Sequence, residues 1–413
     1  MTAGRCGATL AGFVLLLGAT ALAGDNGRLY GRIKTVDGDT YQGYIRWDKN
    51  EVSWVDILNG DKQLPDEATR SEASRRRGSN RTRIEIFGIK IGNVETSDWS
   101  GSAQSGLRMG HIKSITKIDD ETALVETKSG EKVELSGGST DLGSDMRELI
   151  IEDEKQGETE LSWDDLDRVD FEAAPTNDRS SFGDRLYGTL TTRRGDQYTG
   201  FVGWDIDEVL TNDVLDGEDH GRARKVKFEK IASISRYSSS ASSVKFKTGD
   251  EVVLRGSNDV DSDNRGILVC DPGFGQVTVN WDEFASLDLS QAPSAVTYAS
   301  FDGGRPLHGT VYTEDGDSYT GTVRWDNDEQ YTWELLNGSY HDASFDIELG
   351  LVKEIARVST RGSKVTLWDG RSFELRGSND VDEDNKGIFI TPDRGKEIEV
   401  PWEDFKRVEF DRR

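Results

Sequence analysis

The residues whose types and spacing best suit ligand binding lie in an acidic loop that occurs twice. Segment 254–267 matches segment 375–388 at 12 of 14 positions, and each contains three aspartates at alternate positions. A hard cation such as Ca²⁺ takes about six to eight oxygen ligands, and such a loop supplies several. Both loops are therefore candidate calcium sites, an alternative to a structural turn, with the candidate ligands Asp259, Asp261, Asp263, Asn264, Asp380, Asp382, Asp384 and Asn385.

A purely structural role for these loops stays open. They differ from an EF-hand loop, because Asn264 stands where that loop needs glycine and Cys270 where it needs a bidentate glutamate. Asn and Asp side chains also cap their own backbone in Asx-turns. In the first copy Gly143 replaces the middle aspartate and Met146 replaces the asparagine. If the loop binds a cation, we expect binding in the second and third copies but not in the first.

Recurring tryptophan–aspartate pairs are the second candidate. An exposed aromatic ring flanked by carboxylates is typical of sugar-binding surfaces, whereas a large aromatic at core-facing positions of a strand is typical of a core. The recurrence at core-facing positions favours the core, with a sugar-binding surface as the alternative. The residues concerned are Trp47, Trp204 and Trp325, with Trp163, Trp281 and Trp402 at a second recurring place.

A basic patch in the first copy is the third candidate. It lies in an insertion over 61–105, where Pro65 and the acids after it predict the start of a short helix. The patch is predicted to dock an acidic partner or an anionic glycan, or else to pair locally at the end of that helix. Its members are Arg70, Arg75, Arg76, Arg77, Arg81 and Arg83.

Motifs for catalysis give no comparable signal. The four histidines fall at unrelated places without zinc-ligand spacing, and the chain has no nucleophile elbow, P-loop or dinucleotide fingerprint. Cys270 lies in an apolar run and is predicted to be a buried side chain rather than a nucleophile. We therefore predict that the chain is not an enzyme. A carbohydrate-active hydrolase, which needs only two carboxylates, is the less favoured alternative.

An internal repeat positions all these residues. The segment 29–48 recurs as 186–205 and again as 307–326, and a second shared block follows each copy. We predict a signal peptide over 1–23 and β repeats over 24–174, 185–290 and 304–413. In the linkers between repeats, Phe182 and Phe301 are predicted to pack back onto the repeat that follows.

The local pattern within each repeat is strand and hairpin. Apolar residues alternate with polar ones on both sides of a turn at Asp37-Gly38, and a second hairpin is predicted at 244–254. The fold class is therefore all-β, with about eight to ten short strands per repeat in small antiparallel barrels or sandwiches and one short helical insertion in the first repeat. The first block resembles SH3-like and Sm-like small barrels. That resemblance implies a small-barrel fold.

The ends and the charge suggest where the protein works. Arg5, a short apolar run and the Ala21-Leu22-Ala23 cleavage site predict secretion, so the mature chain is expected in the periplasm or outside the cell, without a membrane span. A net charge of −26 opposes binding to nucleic acid and to anionic membranes. We predict an exported binding or scaffolding protein whose partner is a protein or glycan of the cell envelope. The alternative is a calcium-stabilised surface protein or carbohydrate-binding module.

Overall fold

The computed structural model describes residues 27–63, 102–137, 139–175, 180–341 and 343–412. The predicted signal peptide, the predicted helix of the insertion and all six arginines of the basic patch lie outside the described residues. None of the described helical segments is long and apolar enough to cross a membrane.

Among the described residues, each repeat contributes ten strands. The strands of the first repeat are β1 (Tyr30–Thr35), β2 (Thr40–Trp47), β3 (Ile57–Gln63), β4 (Ser102–Arg108), β5 (Ile112–Lys117), β6 (Thr122–Thr127), β7 (Lys132–Ser136), β8 (Leu149–Asp153), β9 (Gly157–Leu161) and β10 (Leu166–Phe171). Those of the second are β11 (Tyr187–Thr192), β12 (Gln197–Gly203), β13 (Val214–Asp219), β14 (Arg222–Lys227), β15 (Ile231–Ser238), β16 (Ala241–Phe246), β17 (Glu251–Leu254), β18 (Ile267–Asp271), β19 (Gly275–Val279) and β20 (Phe284–Leu289). Those of the third are β21 (His308–Thr313), β22 (Ser318–Arg324), β23 (Leu335–Tyr340), β24 (Ala343–Glu348), β25 (Val352–Ser359), β26 (Gly362–Leu367), β27 (Ser372–Arg376), β28 (Ile388–Thr391), β29 (Ile398–Val400) and β30 (Phe405–Phe410).

One antiparallel ladder occurs three times. In the first repeat its order is β7-β6-β5-β10-β1-β2-β8-β9, and the hairpin β3–β4 pairs with β7. The corresponding strands of the second and third repeats pair in the same order. The helical segments among the described residues are 3₁₀ turns of three residues each. The all-β prediction is confirmed.

The ladders do not support the closed small barrel that the sequence pattern suggested. Across the described strands the sheets are open, because β10 inserts between β1 and β5 and leaves β7 and β9 at opposite ends of the ladder. In the second repeat the end strand β19 pairs instead with β24 of the third repeat, from Gly275↔Ile347 to Val279↔Ala343. The second and third repeats therefore share one continuous sheet.

Glycines in the first block allow neighbouring strands to approach closely. Gly38, with φ of +92°, makes the turn between β1 and β2 that the sequence predicts. A Cβ on Gly43 would lie 1.8 Å from the carbonyl oxygen of Glu152 on β8. The equivalent Gly200 and Gly321 have similarly close carbonyl neighbours. The recurring Tyr-x-Gly pattern therefore marks the place where the second strand of each repeat pairs with the eighth.

The recurring tryptophans lie in the core. Trp47, Trp204 and Trp325 are fully buried, and each of the latter two packs edge-on against the second tryptophan of its own repeat. The core interpretation of these residues is therefore correct, and the exposed sugar-binding surface is not what the structure shows. The other buried tryptophans of this pattern are Trp163, Trp281 and Trp402.

The first repeat contacts the second and the third through ion pairs that are largely buried. Asp56 accepts hydrogen bonds from the N–H groups of Val52 and Ser53 in its own turn, and its other oxygen pairs with Arg185 of the second repeat at 2.9 Å. The equivalent acidic residues also bind cations of another repeat, in the pairs Asp213–Arg46 and Glu334–Lys62.

We expect the Arg185→Met substitution to destabilise the protein by about 3 kcal/mol, because it removes the ion-pair partner of the buried Asp56 carboxylate. Calorimetric melting measures the loss. The matched control is Lys34→Met, which removes an exposed pair with Asp167 (side chains 58% and 38% exposed) and should cost less than about 1 kcal/mol. Equal losses in the two variants would contradict the proposed role of the buried pair.

Candidate metal centres

Three clusters of carboxylates lie at equivalent places in the three repeats. In each, two aspartates and one glutamate offer oxygen atoms that all lie within 4.8 Å of one another. A single cation with ligands at about 2.3–2.6 Å can touch oxygens with such separations. The clusters are Asp48, Glu51 and Asp141 (cluster 1), Asp205, Glu208 and Asp259 (cluster 2), and Asp326, Glu329 and Asp380 (cluster 3).

The first aspartate and the glutamate come from one tight turn after the second strand of each repeat. In the first repeat the backbone N–H of Trp47 donates to the carbonyl of Glu51, and the N–H of Glu51 donates back to the carbonyl of Trp47. Asp48 and Lys49 between them have positive φ angles of 42° and 75°. The same conformation occurs in the other repeats, so the sequence Trp-Asp-x-x-Glu folds both carboxylates toward one side.

The third carboxylate comes from the loop before the eighth strand of the repeat. The buried Trp47 indole N–H donates to the carbonyl oxygen of Asp141 at 2.7 Å, which fixes this loop against the turn. The side chain of Asp141 accepts from the backbone N–H and the side-chain amide of Asn59. Trp204 and Trp325 hold the carbonyls of Asp259 and Asp380 in the same way, at 2.8 and 3.0 Å.

A basic residue partly compensates the first aspartate in each cluster. The Arg147 guanidinium binds the Asp48 carboxylate at 2.9 Å, and the backbone N–H of Arg147 donates to it at 2.6 Å. Arg265 binds Asp205 similarly, and the backbone N–H of Lys386 donates to Asp326. In cluster 1 three carboxylates face one guanidinium, which Asp207 also binds, so at least two negative charges remain when all three are ionised.

The glutamate of each cluster has a buried carboxylate oxygen that lacks a hydrogen-bond partner among the described residues. Oε1 of Glu51 accepts from the Asn50 side chain, but Oε2 of Glu51 has no partner. Oε2 of Glu208 and Oε2 of Glu329 are unpartnered in the same way. Glu51 and Glu329 are only 2% and 8% exposed, so water does not solvate these oxygens freely. A buried, unpaired carboxylate oxygen is costly unless a proton or a cation satisfies it.

Burial disfavours ionisation in all three clusters. Burial, reinforced by the nearby Asp48, raises the pKa of Asp141 to about 7. Burial with neighbouring carboxylates likewise raises the pKa of Asp259 to about 6, of Asp380 to about 7 and of Glu208 to about 10. The pKa values of Glu51 and Glu329 are raised well above the usual range for the same reason.

Only two of the eight ligands predicted from the acidic loops join a cluster. Asp259 and Asp380 do so, whereas Asp263 and Asp384 are exposed. The side chains of Asp261 and Asp382 accept from the backbone N–H two residues later, and those of Asn264 and Asn385 do the same. These four side chains form the Asx-type turns of the structural alternative. Each loop thus supplies one ligand to a cluster, and its Asx side chains two and five residues later cap the loop backbone.

The sequence-based comparison of the three copies missed two features of these clusters. The first repeat was expected to lack a site. It nevertheless keeps Asp141, the loop aspartate that joins the cluster, and its cluster is as complete as the other two. Glu51, Glu208 and Glu329 were not singled out. They are among the positions identical in all three copies, so the Trp-Asp-x-x-Glu spacing was the signal that could have found them.

Cys270 plays no part in the clusters. Its side chain is buried, and burial raises the pKa of its thiol to about 12, so the reactive thiolate is disfavoured.

Comparison of the chain with models of known protein families, with curated proteins and with solved structures found no match. The resemblance of the first block to SH3-like and Sm-like barrels stays a sequence pattern.

We expect the cation-free protein to lose stability as the pH rises from about 4 to about 7. Because the pKa values of Asp141, Asp259 and Asp380 are higher in the folded than in the unfolded chain, their favourable contribution is complete below about pH 4 and disappears as they ionise. Each pKa unit corresponds to about 1.4 kcal/mol. Carboxyls with lowered pKa values, such as Asp165, act in the opposite sense and at lower pH. Denaturant unfolding in chelator at several pH values measures the slope.

In the Asp141→Asn variant residue 141 is neutral at every pH, so the free energy of unfolding should depend less steeply on pH than in the parent protein. Asp145→Asn changes an exposed residue of the same loop and should keep the parental slope. Stability that rises steadily between pH 4 and 7 in the parent protein would contradict this account.

Proposed function

We propose that the protein is a binding or scaffolding protein whose three β repeats are each stabilised by one buried divalent cation. The observation that carries the proposal is the threefold recurrence of an Asp-Glu-Asp cluster with an unpartnered glutamate oxygen. Surface acidic residues gather by chance in a chain this acidic, but these carboxylates are largely buried, and the first repeat keeps all three although its loop has Gly143 and Met146 in place of an aspartate and the asparagine.

The ligand chemistry favours calcium. All the cluster ligands are carboxylate oxygens, whereas zinc sites draw on thiolate and imidazole. Mg²⁺ keeps several of its waters, and these sites are enclosed by tryptophan and strand backbone. Ca²⁺ accepts carboxylates in flexible geometry, and each cluster brings one oxygen from each of three carboxylates within reach of a single ion. Because Asp207 shares Arg147 with cluster 1, the ionised cluster has at least two uncompensated charges, which favours a divalent cation.

The positions of the clusters indicate what the cations would do. Arg147, which binds Asp48 of cluster 1, also pairs with Asp207 in the turn of cluster 2 at 3.1 Å. Arg265 binds the same Asp207, and Lys62 of the first repeat donates to the carbonyl of Asp328 in the turn of cluster 3. Cations at the clusters would therefore fix both the turns and the contacts between repeats. A rigid set of three repeats suits a scaffold that works outside the cytoplasm, as the leader-like N-terminal sequence suggests.

We expect the protein to bind three Tb³⁺ ions, a calcium substitute whose luminescence is sensitised by nearby indoles. Trp47, Trp204 and Trp325 each bond to a cluster loop, so every site has a close donor. Glu51→Gln, Glu208→Gln and Glu329→Gln should each remove one binding equivalent, because the amide supplies one fewer anionic ligand. Luminescence titration and competition by Ca²⁺ measure the number of sites.

The matched controls for this titration are Asp263→Asn and Asp384→Asn. Both remove an exposed carboxylate of the acidic loop that lies outside the cluster, so both should retain three sites. Loss of binding in these two variants, with retention in the glutamine variants, would place the cation in the exposed loops and contradict the proposal.

We also expect calcium to raise the melting temperature relative to chelator. Binding to the folded state alone adds about 2.7 kcal/mol per site at a free concentration a hundredfold above Kd. The variant carrying all three glutamines should lose this increment. Because Gln cannot ionise, the melting temperature of this variant in chelator at pH 7 should not be lower than that of the parent protein. An unchanged melting temperature of the parent protein across a calcium titration would contradict the proposal.

A further inference from the structure

A groove on the first repeat is filled by the linker that joins the other two repeats. The Tyr298 ring packs on Trp54, with ring centroids 4.4 Å apart, and its hydroxyl donates to the carbonyl of Ile112 at 2.8 Å. The Phe301 ring lies directly on Gly110, where a Cβ would come within 2.2 Å of it. Phe301 was predicted to pack on the repeat that follows it, the third. It lies on the first repeat instead, because Gly110 leaves room for the ring there.

Polar groups close this groove around the linker. Lys128 donates to the carbonyl of Tyr298 at 2.6 Å, and its ammonium lies 4.0 Å from the centre of the Tyr298 ring. The backbone N–H of Gly303 donates to His111 at 3.1 Å. The linker segment 292–304 thus supplies a Tyr-x-x-Phe pair to an aromatic-binding groove that belongs to the shared fold.

The equivalent groove on the third repeat is an open cleft of about 240 Å³. Its lining residues occupy the same strand positions as those of the first repeat, with Val352 for Ile112 and Phe410 for Phe171. Thr332 replaces Trp54, which widens the cleft, and Trp368 replaces Lys128, which makes its wall aromatic. The cleft is therefore wider than the groove of the first repeat, and the side chains of Arg305, His308 and Asp411 line it beside the apolar ones.

Glycine is the decisive shared residue. Gly350 occupies the position of Gly110 and lines the cleft, whereas the second repeat has the exposed Glu229 at this place. A side chain at this position would occupy the space that the Phe301 ring takes in the first repeat. Of the three repeats, the first and the third can accept an aromatic ring here.

We infer that the cleft on the third repeat binds an extended segment of another polypeptide that carries a Tyr-x-x-Phe pair. Both of the described linkers are already engaged within the chain. Phe182 is buried between the first and second repeats, against Tyr30 and Val209, and Phe301 lies in the first groove. Neither of these described linkers is free to fill the cleft, and the occupant is therefore assigned to a partner. This inference does not depend on cation binding at the three clusters.

The test uses a fluorescently labelled peptide of residues 292–304 and the full chain, measured by fluorescence anisotropy. We expect saturable binding that weakens about tenfold or more when the peptide carries Tyr298→Ala or Phe301→Ala. Gly350→Glu, which installs the residue of the second repeat, should weaken binding by a similar factor. Trp368→Ala provides a second test that does not depend on the close contact between residue 350 and the Thr332 carbonyl.

Glu229→Ala is the matched control, since it changes the equivalent position of the second repeat and should leave peptide binding unchanged. Circular dichroism of each variant confirms that its fold is retained. Absence of saturable binding, or binding that both cleft variants leave intact, would overturn the inference. A second copy of the chain is the other occupant that the cleft could receive, and sedimentation of the protein alone tests it. Self-association that Gly350→Glu abolishes would show that the cleft binds a second copy and would overturn the inference.

Discussion

The burial of three carboxylates within a few ångströms of one another is the constraint on which the rest of the structure depends. Removing even one ionised carboxylate from water costs several kcal/mol, and mutual repulsion adds to the cost. Each repeat meets this cost with the same parts: a left-handed turn, a tryptophan that holds the loop, and a basic residue on one aspartate only. The glutamate oxygen remains unsatisfied. The clusters therefore need either protons or a cation, and this choice couples stability to pH and to metal.

The clusters also lie where the repeats meet, so their state affects the whole molecule. Asp207 receives arginines from two repeats, and Lys62 reaches the turn of cluster 3 from the first repeat. The second and third repeats are joined further by the β19–β24 ladder and a common core. Their linker then crosses to the first repeat and fills its groove. Three units of one sequence pattern thus form a single assembly in which the third groove alone is seen as an open cleft among the described residues.

Much of this fold was predictable from local pattern. Alternation and Asp-Gly turns gave the all-β class and the hairpins at Gly38 and Gly249, because both depend on neighbours in sequence. Asp259 and Asp380 were predicted as ligands for the same reason. The prediction of closed barrels was wrong, because the insertion of β10 between β1 and β5 is a long-range pairing that no local pattern encodes. The glutamates were missed because Asp141 meets Glu51 only through the pairing of β2 with β8, from Gly43↔Asp153 to Trp47↔Leu149.

The most direct test of the central claim is anomalous diffraction from crystals grown with Tb³⁺ or Ca²⁺. The account predicts one anomalous peak within each of the three clusters, with the two aspartates and the glutamate as ligands at about 2.3–2.6 Å. Peaks at Asp263 or Asp384, or clusters without a peak at saturating cation, would contradict it. In the second case the glutamate would stand as a protonated acid, and the clusters would be buried polar cores rather than metal centres.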